Sequence, residues 1–308
     1  MRRRTLGLLL IIAGLLFALV PLTMIEYKSL TRHDGLERYV AAVEQADAAE
    51  QAQRLAAAQD FNTRVLPTGE DTRDPFGSEI EEQESTFALE GEEFAHVVIP
   101  SIELSQPVFL GASQKHMSMG LAQVEGTSLP VGGEGSRSVL AGHNGWYNNH
   151  FLLFADRLVP GDRIFVAVLG EVLEYEVYGT EIILPSEGEK LAAIDGQDTL
   201  TLLTCTPAPI NDKRLLINAR RVAPQEPGAP QAPVASPAVP SPPSDAAKPA
   251  TSEFGQAVQE TEQHDVAVPA AVKGWAYATR AAIVLLALGV VWALVRLYRG
   301  GRNVVSHE

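Results

Sequence analysis

The chain has 308 residues, 46% hydrophobic and 20% charged, with 24 Lys and Arg against 38 Asp and Glu and a formal net charge of −14. That acidity excludes a nucleic-acid binder, which needs a basic face for the phosphates. A single cysteine excludes an intramolecular disulfide and the thiolate-rich zinc modules.

The charge divides by region. Residues 1–25 carry three Arg and no acid, residues 274–308 four Arg and one Glu, and residues 26–273 a net −20. Basic ends around an acidic middle are a membrane-topology pattern. Arg2, Arg3 and Arg4 precede an apolar run from Leu6 to Ile25. Twenty helical residues rise about 30 Å, close to the hydrocarbon thickness. Residues 1–27 are read as a basic tip and an uncleaved anchor. The alternative is a cleaved signal peptide, but no small-x-small cleavage site is evident after Val20.

Residues 28–93 are expected outside the membrane. Leu36, Val40, Val43 and Leu55 have a loose helical spacing, which predicts one or two helices over 28–66. Residues 79–93 hold seven Glu and read as a solvated acidic segment rather than a metal site. From Phe94 to Val222 short β-rich runs alternate with Gly and Pro: 95–99, 107–110, 138–142, 163–169, 171–183, 199–204 and 215–222. VLGEVLEYEVYG predicts a hairpin turning near Gly170. Many strands and few helical patterns predict a mainly β domain, a closed barrel over 94–222. Residues 224–249 hold nine Pro and read as the core of a polyproline-like stalk spanning 223–273. The uncharged run Ala281 to Val295 reaches spanning length if Trp275, Tyr277 and Tyr298 sit at the interfaces, giving a second span over 274–298 and a tail over 299–308. Arg296, Arg299 and Arg302 follow it, so the positive-inside rule puts both termini in the cytoplasm. Membrane lipid is thus an expected partner and nucleic acid is not.

Cys205 closes the alternating run DTLTLLTC, and Pro207 and Pro209 stop that strand. The thiol is therefore expected at a strand end. A buried structural cysteine is the competing reading. A nucleophilic thiol needs a group to take its proton. His143, between two glycines at the end of SVLAGHNG, is the first candidate, and His150 in WYNNH is the main competitor. A metal held by His143, His150 and Cys205 is a weaker possibility, because no carboxylate stands at ligand spacing. Arg214 lies nine residues past Cys205 and opens RLLINARR. Two antiparallel strands joined by TPAPINDK would return it to the thiol and turn Lys213 to the opposite face.

The motifs TLLTCTP and KRLLINARR, with AGHNG about sixty residues upstream and the run EGTSLPVGGEGSRSVLAGH, resemble the sortases, membrane-bound cysteine transpeptidases of Gram-positive bacteria. The resemblance implies a sortase-type barrel of about eight strands. It also implies Cys205 as nucleophile, His143 as proton donor and acceptor, and Arg214 as the group that orients substrate or oxyanion. Anchors near both ends and the sequence Asp74, Pro75, Phe76 resemble class C, the pilin-polymerising sortases, whose lid (here about 71–79) carries an Asp-Pro-aromatic motif. In that class the Asp lies near the catalytic Arg and the aromatic covers the Cys. Many members carry Arg after the Gly-His pair where this chain has Asn144. Thr204 and Asn144 are the candidate substrate contacts.

The resemblance further implies a substrate with an LPxTG-like sorting signal, a thioester on Cys205, and resolution by a Lys amine of the next pilin subunit. Nothing in the sequence demands a metal or organic cofactor. The competing readings are a transpeptidase that attaches proteins to peptidoglycan precursor, a thiol peptidase, and a non-catalytic receptor on a stalk.

Overall fold

The computed structural model describes residues 2–64, 67–69, 72–77, 87–88, 91–145, 151–222 and 270–305. Residues 223–269 of the Pro-rich stalk, most of the acidic run over 79–93, and His150 lie outside the described residues, while 270–273, expected in the stalk, begin the last helix.

The chain opens with a long helix α1 (Arg2–Gln45), which continues without a break past the expected end of the anchor at residue 27. It stops at Ala46. Asp47 then caps α2 (Ala48–Arg64), its Oδ1 accepting from the backbone N–H of Ala49 at 2.8 Å and Glu50 at 3.0 Å. An acid at this position satisfies two N–H groups that would otherwise lack partners and faces the positive end of the helix dipole.

The β domain contains β1 (Ala95–Ile99), β2 (Leu104–Leu110), a one-and-a-half-turn helix α3 (Gln114–Met119), β3 (Leu121–Gln123), β4 (Arg137–Ala141), β5 (Arg163–Val168), β6 (Glu171–Ile183), β7 (Thr199–Thr206) and β8 (Lys213–Arg221). These form a closed barrel in the order β1-β2-β3-β4-β7-β8-β6-β5, sealed by β1 on β5. Closure leaves no unpaired edge. The eight-stranded barrel and the N-terminal helices agree with the fold expected from the sequence. The β5–β6 hairpin turns at Leu169 and Gly170, both at positive φ. β3, at three residues, is too short to leave a periodic signal, and it was not expected.

Alternation sorts the side chains of each strand to opposite faces. The interior takes Leu140, Leu200, Leu202, Leu215 and Ile217, among others. A second apolar cluster, on the outer face of the same strands, takes Val139, Ala141, Leu203 and Leu216 together with Met117 of α3. A third lies under α1, where Leu36 and Tyr39 cover Val98, Phe165 and Ala167. Beside it His96 is held between Glu93 (Nδ1 to Oε1, 2.6 Å) and Ser105 (Nε2 to Oγ, 2.9 Å). Asn62 of α2 ties that helix to the β3–β4 connection, donating to Leu129 O and Gly132 O and accepting from the N–H of Leu129.

The last helix, α4 (Ala270–Val305), contains Tyr277–Leu297, a 21-residue stretch long and apolar enough to cross a membrane. Leu285, Val291 and Trp292 on it are exposed, unlike the residues of a core helix. The apolar stretch of α1, Leu6–Val20, is shorter. The two helices pack together, with Gly289 beside Leu15.

Candidate active site

The outer face of β4, β7 and β8 gathers Cys205, Arg214 and His143. Counting in twos from Leu203, Cys205 falls on this outer face, and counting from Leu216 so does Arg214. The β7–β8 register pairs them directly, Cys205 opposite Arg214. Lys213 is exposed and Arg214 is buried, as the alternation requires. The connecting loop turns at Asn211, a residue at positive φ, and holds Pro207 and Pro209 after cis peptide bonds.

His143 arrives from β4, which runs parallel to β7 with Ala141 opposite Leu203. Beyond that pair, the backbone N–H of Gly142 donates to Leu203 O at 3.1 Å. The Asn144 side-chain amide donates to Cys205 O at 2.7 Å. His143, between these two bonds, is thus held at the same strand ends as Cys205. Gly142 packs closely here: a Cβ on it would stand 2.5 Å from Leu121 Cδ2 and 3.2 Å from Leu152 Cδ1, so those leucines would have to shift. Among the other histidines of the barrel, His96 is spent on Glu93 and Ser105, and His116 stacks on Phe109 with Nδ1 donating to Gly111 O.

Asp74, Pro75 and Phe76 lie across this face. Asp74 grips Arg214 with both oxygens: Arg214 Nε donates to Oδ1 and Nη2 to Oδ2, each at 2.7 Å. Arg214 Nη1 donates to the carbonyls of Asn211 and Lys213. Four of the five guanidinium N–H groups are thus engaged, and the planar fork is filled by a carboxylate. The Phe76 ring lies 5.1 Å from the Arg214 guanidinium carbon and 5.7 Å, edge-on, from the His143 ring centroid. It also packs on the apolar cluster that contains Leu203 and Ile183. Gln114 of α3 donates to Pro75 O.

The root of the segment rests on the β6–β7 connection, a contact that the sequence did not suggest. The backbone N–H of Ala193 donates to Pro67 O at 2.9 Å. Gly69 and Gly188 cross so closely that a Cβ on Gly188 would stand 2.7 Å from Thr72 O. Two glycines widely separated in sequence carry no local signal of such a crossing. Thr204 lies on the interior side of β7, and its hydroxyl donates to Gly142 O at 2.7 Å. In this arrangement it ties two strands together and has no free donor for a substrate.

The electrostatics describe a resting site. Burial pushes the Cys205 thiol pKa up; Arg214 opposes that and Asp74 reinforces it. Burial pushes the His143 pKa down. Burial alone would lower the pKa of Arg214, but the hydrogen bond to Asp74 and the neighbouring Cys205 and acids raise it. With the segment seated, thiol and imidazole are both neutral at neutral pH, and Asp74 is paired with Arg214, the cation that favours a thiolate. Among the described residues no group of three or more His, Cys, Asp and Glu could hold a metal.

Comparison with known proteins agrees with this geometry. Residues 97–222 match the family model of the sortase domain. Sortase A of Bacillus anthracis is 32% identical over 123 residues, which is 39% of this chain and 56% of that protein, so the match spans little more than half of that relative's length. Among solved structures, sortase C of Streptococcus pneumoniae superposes with a TM-score of 0.57 at 33% identity, covering 62% of this chain and all of the other. The pilus-related sortase C of Group B Streptococcus gives 0.56 at 29% identity, covering 60% and 95%. Sortase C-1 of Actinomyces oris gives 0.51 at 32% identity, covering 56% and 98%. Barrel, motif and neighbours coincide, and the chain belongs to the sortase family of cysteine transpeptidases.

Proposed function

We propose that this protein is a membrane-anchored, pilin-polymerising sortase, with Cys205 as nucleophile, His143 as proton carrier and Arg214 as the orienting cation. The observation that carries the reading is the seating of Asp74 and Phe76 on Arg214 and His143. A carboxylate in the guanidinium fork occupies the place that a carbonyl oxygen of substrate would take. Several of the similar structures are described by pilus or pilin specificity, which supports the same direction.

The cycle begins when the lid leaves. Asp74 then no longer opposes Arg214, the cation favours the thiolate, and the thiol proton passes to the His143 imidazole. Cys205 Sγ attacks the Thr carbonyl of an LPxTG-like sorting signal. Arg214 donates to the oxygen on which negative charge develops. His143 delivers a proton to the Gly amine as the Thr–Gly bond breaks, leaving a thioester on Cys205. The side-chain amine of a Lys on the next pilin subunit attacks that thioester, gives up its proton, and departs as an isopeptide with the thiol restored. The thioester conserves the reactivity of the broken peptide bond as long as water is kept out.

The two apolar stretches, Leu6–Val20 and Tyr277–Leu297, would hold the barrel outside the membrane with both termini in the cytoplasm. In this reading the domains are the N-terminal tip and anchor over 1–27, helices and lid over 28–93, the catalytic barrel over 94–222, the stalk over 223–273, the second span over 274–298 and the tail over 299–308.

Incubation with a pilin bearing the sorting signal should load Cys205 with a thioester visible as a mass adduct, and pilin ladders should form. Cys205→Ala should abolish both. Ladders that persist in that variant would overturn the assignment.

A further inference from the structure

The β4–β7 pairing contains an irregularity at the point where chemistry is expected. In a parallel ladder, successive N–H groups two residues apart on one strand donate to carbonyls two residues apart on the other. Gly142 N–H donates to Leu203 O. The next position in that series joins residue 144 to Cys205 O. There the donor is the Asn144 side-chain Nδ2, at 2.7 Å. A side chain thus stands in for the backbone, and the backbone of residues 143–145 can leave the sheet toward Gly145, at positive φ. The loop carrying His143 departs from the strand carrying Cys205, and one amide keeps the two in step.

We infer that Asn144 is a positioning residue, whose amide clamps the Cys205 carbonyl and so fixes the thiol against the His143 imidazole. This rests on the reading of Cys205 and His143 as the reacting pair. It differs from a substrate contact: the amide hydrogen aimed at Cys205 O is engaged within the protein before any substrate arrives. It also gives a reason for an amide at this position. A carboxylate would set an oxygen against a carbonyl oxygen, and an aliphatic side chain would leave the carbonyl without this donor. Reacting groups must be held within a few tenths of an ångström, and a misplacement of about 1 Å costs on the order of a hundredfold in rate.

The test uses the full-length protein with Asp74→Ala as background, so that lid opening does not mask the chemistry. Single-turnover acylation of Cys205 is followed with a peptide bearing the sorting signal, as rate against peptide concentration, alongside thermal unfolding. Asn144→Ala and Asn144→Asp should lower the saturating acylation rate by about tenfold or more. The half-saturating concentration should stay within about twofold of the background, since substrate is not what the amide holds. Asn144→Gln, which keeps a donor on a longer arm, should fall between. A raised half-saturating concentration with an unchanged rate would overturn the proposal in favour of a substrate contact. An unchanged rate and concentration would also overturn it, as would a loss of activity that merely follows the fraction unfolded. Acylation that survives Cys205→Ala would instead overturn the underlying assignment of the nucleophile.

Discussion

Two pieces of chain cover the outer face of the same barrel, and they are held by opposite means. α1 covers β1 and β5 through Leu36 and Tyr39, both nearly inaccessible to solvent. Tyr39 places its hydroxyl between two backbone groups, donating to Phe94 O at 3.0 Å and accepting from Leu169 N–H at 3.1 Å. Burial pushes its pKa far above the ordinary phenol value, so it stays neutral. The segment Asp74–Phe76 covers β7 and β8 chiefly through the Asp74–Arg214 pair, with the Phe76 ring on Arg214 and on the neighbouring apolar cluster and a hydrogen bond from Gln114 to Pro75 O. Apolar burial has no substitute that a substrate could supply. A carboxylate in an arginine fork does, because another acceptor can take its place and the released ions regain hydration. With both covers on one scaffold, the chemistry of each contact decides how readily it can be displaced.

The largest effect should come from breaking the permanent cover. Tyr39→Ala removes a buried ring and strands two backbone partners, at a cost of about 3 kcal/mol of stability or more, readable as a fall in the thermal midpoint. The alkylation rate of Cys205 in the molecules that remain folded should stay near that of the parent. A large rise would mean that α1 also gates the site.

A smaller effect should come from breaking the removable cover. Asp74→Ala or Phe76→Ala should speed labelling of Cys205 by a small thiol reagent by about tenfold, equivalent to about 1.4 kcal/mol, with little loss of thermal stability. Unchanged labelling would show that the segment does not shield the thiol.

The smallest and sharpest effect is on pH. Burial and Asp74 both raise the Cys205 pKa, so thiolate-dependent labelling of the parent should begin at higher pH than for an ordinary thiol. Asp74→Ala removes a raising charge and leaves Arg214 to stabilise the thiolate, so the midpoint of the labelling profile should move to lower pH. A shift upward would contradict the electrostatics described. His143, lowered by burial, should stay neutral to lower pH than a free imidazole.

Much of the barrel was legible because strands 171–183 and 199–206 carry a partial alternation, interrupted by the bulge between Val177 and Gly179 and by the adjacent Leu202 and Leu203, which still sorts most side chains to a face before any partner is known. β3 was not, since its three residues are held by β2 and β4 rather than by any pattern of their own. The break between α1 and α2 was blurred, because Ala- and Glu-rich sequence favours helix on both sides and only the cap at Asp47 marks the division. Thr204, a candidate substrate contact, is turned inward by its place on β7 and bonds Gly142 O.

The meeting of Cys205 and Arg214 is foreshadowed locally in the chain. A nine-residue step through a proline-rich turn between two alternating strands returns the guanidinium opposite the thiol, and such a contact is local. His143 and Asp74, which the motifs also single out, reach this face only through long-range contacts. The first depends on the parallel pairing of β4 with β7, and the second on an ion pair formed across 140 residues of chain. Local periodicity records which face a side chain takes, but the choice of a distant neighbour is made by the closure of the whole barrel and the burial that follows from it.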